Sequence, residues 1–310
     1  MSVTEPHIAE LPSVMRTRGW SDYGLVDSGH GRKLERYGRF RVVRPEPQCL
    51  WAPALPASAW DAADAVFDPT DEEDAGRWKL KGQAAKFGQG ETWPLGWGEV
   101  KFNGRFTSFR HLALFPEQAA NWEWLDAAVR AAVKSGAGQP KVLNLFGYTG
   151  VASLVMAAAG AAVTHVDASK RAVQWARENA ELSGLSDRPV RWITEDARKY
   201  VQREVRRGSK YEGIILDPPK YGRGPDGEVW KLFENLPELA GLCAELLSEN
   251  ARFLLLNAYA ERISGAALAG LLADALKGRG GRVEWGELAL VQEDGAREIG
   301  MSFFARWQAS

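Results

Sequence analysis

The residues best suited to chemistry follow apolar runs in the C-terminal half of the chain. In the first group, Asn144–Gly150, the glycines Gly147 and Gly150 permit a tight turn and close approach of the backbone to a ligand. Amide groups at the start of the next helix favour an anion. Asp167 lies 20 residues after Gly147, where a carboxylate can accept both hydroxyls of a ribose. Asp196 follows the next apolar run and is placed to accept from an adenine amino group. The pattern predicts a cofactor with a nucleoside and an anionic group.

A second chemistry is indicated by the run Asp217-Pro218-Pro219-Lys220-Tyr221. Its two prolines fix the backbone φ angle and remove N–H donors, so Asp217 and nearby carbonyl groups are held stiffly as acceptors. We expect Asp217 and Asn257 to orient the reacting group of a substrate, with Tyr221 or Tyr259 stacked on a ring. Lys220 either neutralises a phosphate or is simply solvated. The predicted catalytic residues are Asp217, Pro218, Pro219, Lys220, Tyr221 and Asn257, and Tyr259 is a predicted substrate contact.

The elements that must position these residues alternate strictly after Pro140, from KVLNLF followed by VASLVMAAAG to YEGIILD followed by VWKLFENLPELAGLCAELL. Runs such as GIILD and FLLLN are apolar on both faces, as central parallel strands covered by helices must be. We predict an α/β fold with a doubly wound, mostly parallel, Rossmann-like sheet of seven strands. VEWGELAL and MSFFARWQ have no helix between them and should form a C-terminal antiparallel hairpin. Ligands bind such sheets beyond the carboxyl ends of the strands.

The N-terminal part of the chain has a different sequence pattern. Residues 1–24 are polar and aperiodic and are predicted to form a tail. Residues 25–116 contain short β-prone runs cut by Gly, Pro and Asp clusters, which predicts a smaller β-rich N-terminal domain suited to substrate binding. Residues 117–136 are predicted to form a connecting helix, and residues 137–310 the cofactor-binding domain.

Composition and charge limit the kinds of partner that the protein is expected to bind. The chain has 310 residues and a net charge of -1, so a nucleic acid would have to meet a local basic surface. Residues 32–44 carry six cations against one acid and interleave two aromatic rings, which suits a nucleic-acid surface and equally a strand with a solvated arginine face. We predict substrate contacts from Arg36, Arg39 and Arg41. A second basic run, residues 198–210, is predicted to be a solvated helix face.

The two cysteines, Cys49 and Cys243, are far apart and show no metal-ligand spacing, which argues against a disulfide framework or a zinc site. Cys243 lies in a helical pattern and is predicted to be a core residue. No apolar run approaches the ~18 to 20 residues that span a bilayer. We expect a cytoplasmic protein without a metal or membrane association, and the sequence leaves its oligomeric state open.

The segment from about residue 140 to 260 resembles class I S-adenosylmethionine-dependent methyltransferases. More narrowly, LFGYTG, VDASKRAVQWARENAELSG, EDARKY and DPPK are similar to the large-subunit ribosomal RNA cytosine methyltransferases and their uncharacterised relatives. GRKLERYGRFRVVRPEP and HLALFPEQAANWEWL extend the resemblance over most of the chain. A nicotinamide cofactor is disfavoured, because Phe146 stands next to Gly147 where the dinucleotide fingerprint needs glycines at alternate positions.

The resemblance implies S-adenosyl-L-methionine as cofactor, with Phe115 and Gln118 near its methionine end. One departure is Glu117-Gln118-Ala119 where the relatives usually have Asp-Gln-Arg, so a guanidinium contact is missing. With the neighbouring motif residues included, the predicted cofactor site comprises Asn144, Phe146, Gly147, Tyr148, Thr149, Gly150, Asp167, Ala168, Ser169, Asp196, Ala197, Phe115 and Gln118.

The resemblance also implies methylation of a base in RNA, with ribosomal RNA first. Methylation of a pyrimidine carbon usually needs a cysteine that forms a transient adduct. In the cytosine-modifying relatives this thiol lies at the end of the fifth strand, where this chain reads Leu256-Asn257-Ala258-Tyr259. We therefore expect nitrogen or oxygen methylation without a covalent adduct. Two alternatives remain: methylation of a protein side chain, and a module that binds the cofactor without turnover.

Overall fold

The computed structural model describes residues 5–70, 75–88, 90–136, 138–259 and 262–310. Its strands are β1 (His7–Ile8), β2 (Ser13–Thr17), β3 (Tyr23–Gly29), β4 (Arg32–Tyr37), β5 (Phe40–Pro45), β6 (Ala65–Pro69), β7 (Gly76–Leu80), β8 (Trp93–Trp97), β9 (Val100–Gly104), β10 (Lys141–Leu145), β11 (Ala162–Asp167), β12 (Val190–Thr194), β13 (Gly213–Leu216), β14 (Tyr221–Arg223), β15 (Val229–Lys231), β16 (Phe253–Tyr259), β17 (Arg282–Val291) and β18 (Glu298–Gln308). The α-helices are α1 (Ala57–Asp61), α2 (Ala119–Lys134), α3 (Val151–Ala158), α4 (Lys170–Leu182), α5 (Ala197–Arg206), α6 (Leu232–Leu246) and α7 (Gly265–Ala275), with short 3-10 helices at Gly82–Phe87 and Pro116–Gln118.

Two compact units divide the chain. The first comprises residues 1–15, 121–288 and 301–310, and the second comprises residues 16–120 and 289–300. The predicted cofactor-binding domain, residues 137–310, therefore differs from the first unit at both of its ends. From residue 121 onward, the helix predicted as a connector belongs to the first unit, and the tip of the final hairpin belongs to the second. Within the second unit this tip is tied to β3, since Glu293 N donates to Leu25 O over 2.8 Å. Such a long-range contact leaves no local pattern in the sequence.

The first unit is built on one large sheet with the strand order β1-β17-β18-β16-β13-β10-β11-β12, in which β2 also pairs with β17. Neighbouring strands from β16 to β12 are parallel, and β18 is antiparallel to β16. The predicted doubly wound sheet and its final hairpin are confirmed, but the sheet has nine strands, because β1 and β2 join the seven that were expected. Within the sheet, β13 is buried along its whole length, and β16 is buried up to its last residue.

The predicted N-terminal tail is wrong where the structure describes it. β1 pairs in parallel with β17 through His7 and Ile8, and β2 joins the same strand. Residues 1–4 of the predicted tail lie outside the described residues. A two-residue strand has too few side chains to show an alternating pattern, so pairing with β17 is what defines it.

The second unit contains a five-stranded sheet in the order β3-β4-β5-β6-β7 and a separate β8–β9 hairpin. The predicted β-rich region is confirmed. Its interior includes a buried ion pair, in which Arg44 Nε donates to Glu35 Oε2 over 2.7 Å. Aromatic rings fill much of the rest, for example Phe40 and Trp93 with ring centroids 5.0 Å apart.

A small hairpin takes the place of the first turn of the helix that is predicted after the fourth strand of the alternating pattern. The sequence pattern predicts VWK at the start of that helix, but these residues form β15, which pairs antiparallel with β14. α6 begins only at Leu232. The turn between the strands contains Gly224-Pro225-Asp226-Gly227, and a three-residue strand is too short to be distinguished from the first turn of a helix.

No helix among the described residues is both long enough and apolar enough to span a bilayer.

Candidate cofactor and acceptor site

A tight turn, which we call the glycine turn (Phe146–Gly150), links β10 to α3. A Cβ atom on Gly147 would lie 2.4 Å from His165 Cε1, and one on Gly150 would lie 2.7 Å from Ala176 Cβ. Gly150 also has a φ angle of 81°, in the left-handed region that favours glycine. Both glycines are therefore required by the packing of the turn, because His165 and Ala176 occupy the space that a side chain would fill.

Two residues of the glycine turn are strained. Phe146 and Tyr148 have φ angles of 59° and 48°, although neither is glycine. Each such conformation costs about 1–2 kcal/mol and persists only where surrounding contacts impose it. Strain of this kind concentrates at ligand-binding turns, so its presence in the predicted cofactor loop supports a binding role.

A buried polar chain supports the turn from below. Asn144 Nδ2 donates to Ser153 Oγ over 2.8 Å, and Ser153 Oγ lies 3.0 Å from His165 Nδ1. His165 is fully buried, and this burial lowers its pKa to about 3. The imidazole is therefore neutral at physiological pH. Asn144 thus acts beneath the turn as a support.

Asp167 ties the glycine turn to the next strand. Its Oδ2 accepts from Tyr148 N and its Oδ1 accepts from Ser169 N, each over 2.8 Å. Burial raises the pKa of this carboxyl group. Each oxygen accepts one amide bond and has a second lone pair, so two ribose hydroxyl groups have acceptors here. Ser169 also caps α4 by accepting from Ala172 N.

Asp196 is buried and caps α5, because its Oδ1 accepts from Lys199 N over 3.0 Å. This cap occupies one oxygen, and the adenine role of the other remains a prediction. Ala197 is buried beside it, and Ala168 is half-buried next to Asp167. The carbonyl group of Thr149 accepts from Asn179 Nδ2 over 2.9 Å, which fixes the end of the glycine turn against α4.

Register explains why these groups meet. β10, β11 and β12 are adjacent and parallel, with Leu145 opposite Val166 and Asp167 opposite Thr194. Their carboxyl ends therefore lie along the same edge of the sheet. The glycine turn, the half-buried carboxylate of Asp167 and the buried Asp196 lie at this edge. Together they fit S-adenosylmethionine, which has a small charged amino-acid end and an adenosine.

The candidate acceptor group lies at the ends of the next two strands. Leu216 of β13 pairs with Leu256 of β16, so Asp217 and Asn257 come side by side. Asn257 Nδ2 donates to Asp217 Oδ1 over 2.8 Å, and Ser302 Oγ donates to Asn257 Oδ1 over 3.3 Å. The structure thus brings together the two residues that the sequence predicts to act jointly.

The other predicted catalytic residues differ in exposure. Pro218 is buried, whereas Pro219, Lys220 and Tyr221 are exposed. Tyr259 is half-buried at the end of β16, opposite Ser302. Their proposed roles toward a substrate remain predictions.

Trp230 is a site residue that the sequence reasoning missed. Its Nε1 donates to Pro219 O over 2.7 Å, and its ring centroid lies 4.9 Å from that of Phe146. Trp230 therefore contacts both the glycine turn and the Asp-Pro-Pro segment. The sequence reasoning missed it because VWKLFENL was interpreted as helical, which gave Trp230 no link to the Asp-Pro-Pro segment.

Several predicted residues belong to the second unit. Phe115 and Gln118 lie there, so their contact with the cofactor stays a prediction. In the basic segment, Arg39 and Arg41 are exposed, and Arg36 Nη2 lies 2.9 Å from Glu293 Oε1.

The expectation of a phosphate-binding surface is wrong for two further cations of that segment. Lys33 and Arg44 are buried and paired with acids, Lys33 with Glu46 and Arg44 with Glu35. Alternation along β4 and β5 shows which residues share a side of the sheet, but it does not show that this side is buried.

The second basic run is largely neutralised by ion pairs. Arg203 pairs with Glu195, and Arg198 Nη2 lies 3.1 Å from Glu238 Oε2. Both arginines lie on α5, as the predicted helix face requires.

Neither cysteine is available as a nucleophile. Cys243 is fully buried in the core of the first unit, and burial raises the pKa of its thiol. Cys49 is buried in the second unit, and burial raises its pKa to about 11. The described residues contain no group of three or more His, Cys, Asp or Glu side chains able to hold a metal ion.

Comparisons with known proteins show which chains this one is similar to. The family described as "Conserved hypothetical protein 95" matches residues 118–241. A crystal structure of a SAM-dependent methyltransferase from Agrobacterium tumefaciens is 49% identical, with a TM-score of 0.92 over 100% of this chain and 97% of that one.

Curated relatives match over shorter stretches. Ribosomal RNA large subunit methyltransferase K/L of Shewanella frigidimarina is 35% identical over 51% of this chain and 21% of that protein. Ribosomal RNA large subunit methyltransferase I of Aeromonas salmonicida is 39% identical over 30% of this chain and 24% of that protein. The chain thus spans less than a quarter of the length of these relatives. With the glycine turn, the strand-end acids and near-complete coverage of a solved homologue, the chain belongs to the S-adenosylmethionine-dependent methyltransferases.

Proposed function

We propose that the chain methylates a base in RNA, with ribosomal RNA as the first candidate, and that it acts in the cytoplasm through a nitrogen or oxygen acceptor. The observation that carries the choice of acceptor is the Asp217–Asn257 pair at the sheet edge, together with two cysteines buried in cores. The RNA substrate is supported by the names of the curated relatives.

S-adenosylmethionine supplies a methyl group on a positively charged sulfur. Asp217 accepts a hydrogen bond from the amino group of a base and so aims the nitrogen lone pair, while Asn257 fixes the carboxylate. As the new nitrogen–carbon bond forms and the carbon–sulfur bond breaks, the nitrogen loses a proton, for which Asp217 is the nearest predicted acceptor. Positioning and exclusion of water supply most of the catalysis in such a displacement.

The decisive experiment incubates the protein and radiolabelled S-adenosylmethionine with RNA and with protein from cells that lack the gene. Mass spectrometry then identifies the labelled nucleoside or residue. Label in an RNA base at nitrogen or oxygen supports the proposal. Label confined to protein would establish the side-chain alternative, and cofactor binding without any label would establish the module without turnover.

The absence of a thiol step has its own test. Replacing both Cys49 and Cys243 by alanine should leave the rate of methyl transfer within about threefold of wild type, once folding is verified, since a thiol adduct would contribute far more than that. Loss of turnover with intact cofactor binding would show that a cysteine takes part.

A further inference from the structure

The β14–β15 hairpin presents one exposed face immediately after the Asp-Pro-Pro segment. Tyr221 pairs with Lys231, and Arg223 pairs with Val229. Because side chains alternate across a strand, these four residues share one side of the hairpin, which we call the hairpin face. Tyr221 is 50% exposed and Val229 is 42% exposed. Rings and apolar groups this open to solvent, grouped beside a candidate active site, are typical of an interaction surface.

The opposite side of the hairpin is anchored. Trp230 is 3% exposed and donates to Pro219 O, and Leu232 N donates to Lys220 O over 3.0 Å. Trp230 also packs on Phe146 of the glycine turn. The hairpin is therefore fixed to both halves of the candidate site, and a ligand lying on its outer face would be held next to the acceptor position.

The cations of the hairpin face are available to a ligand. Arg223 is exposed, and Lys231 Nζ lies 2.9 Å from Glu234 Oε1 in a pair whose members are each more than half exposed. Such surface pairs contribute little and exchange readily for another anion. Glu228, in contrast, lies on the Trp230 side by alternation and is held by Lys199 of α5. Glu228, which directly precedes β15, is therefore on the side away from the hairpin face.

One more exposed ring follows the hairpin in the chain. Phe233 follows Lys231 by two residues and is 60% exposed, although it lies in the first turn of a helix whose other apolar residues are mostly buried.

We propose that the hairpin face, together with Phe233, docks single-stranded RNA beside the methyl acceptor, an inference that rests on the function proposed above. Unpaired bases stack on exposed aromatic rings, and their phosphates meet neighbouring cations. Tyr221 and Phe233 supply the rings, and Arg223 and Lys231 supply the cations. An acceptor base must leave its stack to reach a buried strand edge, so a stacking surface at that edge serves the reaction directly.

The test measures binding of a short fluorescent single-stranded RNA by anisotropy over a series of salt concentrations. The double variant Arg223→Glu/Lys231→Glu should bind more weakly and reduce the slope of log affinity against log salt by about 1.4, or about 0.7 per lost phosphate contact. Phe233→Ala should weaken binding about tenfold and leave the slope unchanged, because stacking releases no counterions.

The matched control is Arg177→Glu/Arg191→Glu, which makes the same charge change at exposed positions on α4 and β12. We expect a smaller loss of affinity, from long-range charge alone, and no change in KM for RNA beyond about twofold. Calorimetry with S-adenosylmethionine and the melting temperature should match wild type for every variant. These two readouts separate loss of the surface from loss of the fold.

The possible outcomes separate the two proposals. If wild type labels RNA but the hairpin variants keep its affinity, salt slope and KM, the docking surface is disproved and the proposed function stands. If the control variant loses as much as the hairpin variant, the effect is general charge and the surface is again disproved. If wild type neither binds the RNA nor labels any RNA, both proposals fail together.

Discussion

Asn257 Nδ2 donates to Asp217 Oδ1 over 2.8 Å, which joins the ends of two neighbouring parallel strands, β13 and β16. Asn257 is 1% exposed, so this bond is shielded from water on the asparagine side. A hydrogen bond to a charged group in such surroundings contributes about 1.5–3 kcal/mol and fixes the direction in which the remaining carboxylate oxygen faces. The pair is the part of the site that most directly constrains an acceptor.

Replacing Asn257 by alanine should lower kcat by about 100-fold, because an unaimed carboxylate misplaces the acceptor group. The affinity for S-adenosylmethionine, measured by calorimetry, should stay near wild type, since the predicted cofactor contacts lie on β10, β11 and β12. Asp217→Asn should show the same separation. Weakened cofactor binding together with unchanged kcat would contradict the assignment of this pair to the acceptor.

Gly147→Ala should impair the cofactor site by a steric route. The new Cβ would lie 2.4 Å from His165 Cε1, so the turn or the imidazole must shift, at a cost of about 1–3 kcal/mol in the free energy of unfolding. We expect cofactor affinity to fall at least tenfold. Gly270→Ala is the matched control, because a Cβ there meets nothing within 4 Å and α7 gains a better helix former. Equal effects of the two substitutions on cofactor binding would argue against the role of the turn.

Trp230→Phe should lower activity by changing the position of the Asp-Pro-Pro segment. The variant keeps a ring beside Phe146 but removes the N–H that donates to Pro219 O, so the Asp-Pro-Pro segment loses a tether. We expect kcat to fall about tenfold, with a change in unfolding free energy of about 1 kcal/mol, near the net contribution of one hydrogen bond.

Trp307→Phe provides the control for that variant. Trp307 is also buried in the first unit, and its Nε1 donates to Gly280 O over 2.8 Å. It should lose similar stability without the loss of kcat. If both variants change kcat equally, the effect is one of general stability and the tether has no specific function.

The fall in the free energy of unfolding at acid pH should depend on Glu35. Burial alone would raise the pKa of this carboxyl group, but Arg44 and Lys33 hold it at about 2 in the folded state, against 4.5 as its ordinary value. A depressed folded pKa stabilises the protein above the unfolded value, and this contribution is lost as the pH falls toward the folded value. Between about pH 5 and about pH 3 the free energy of unfolding should drop by about 2 kcal/mol from this group.

Urea unfolding of wild type and Glu35→Gln over this pH range checks the assignment. The variant should be less stable by about 3–5 kcal/mol at neutral pH, because it leaves Arg44 buried without its carboxylate, and its stability should fall less steeply with decreasing pH. Glu91→Gln, at an exposed position of the same unit, is the control and should reproduce the wild-type curve. If the stability of Glu35→Gln fell with decreasing pH as steeply as that of wild type, other carboxylates would account for the pH dependence.

Much of the catalytic fold could be predicted because its signals are local. The strand from Ala162 to Asp167 is found where the apolar run places it, and Asp167 ends it. Gly147, Gly150 and the strand-end acids are detectable because parallel strands must bring their carboxyl ends to one edge. Asp217 and Asn257 could be paired in advance for the same reason.

Only the tertiary structure decided the features that depend on distant partners. β1 and the tip of the final hairpin are defined by pairing across more than 250 residues, with His7 opposite Arg282 and Leu25 opposite Gln292. Lys33 and Arg44 look like surface cations in sequence, and buried acids make them interior residues. Trp230 became a site residue because a three-residue strand turned it toward Phe146 and Pro219. Local periodicity determines which segments form strands and helices, whereas the free energy of burial and ion pairing determines which distant residues they meet.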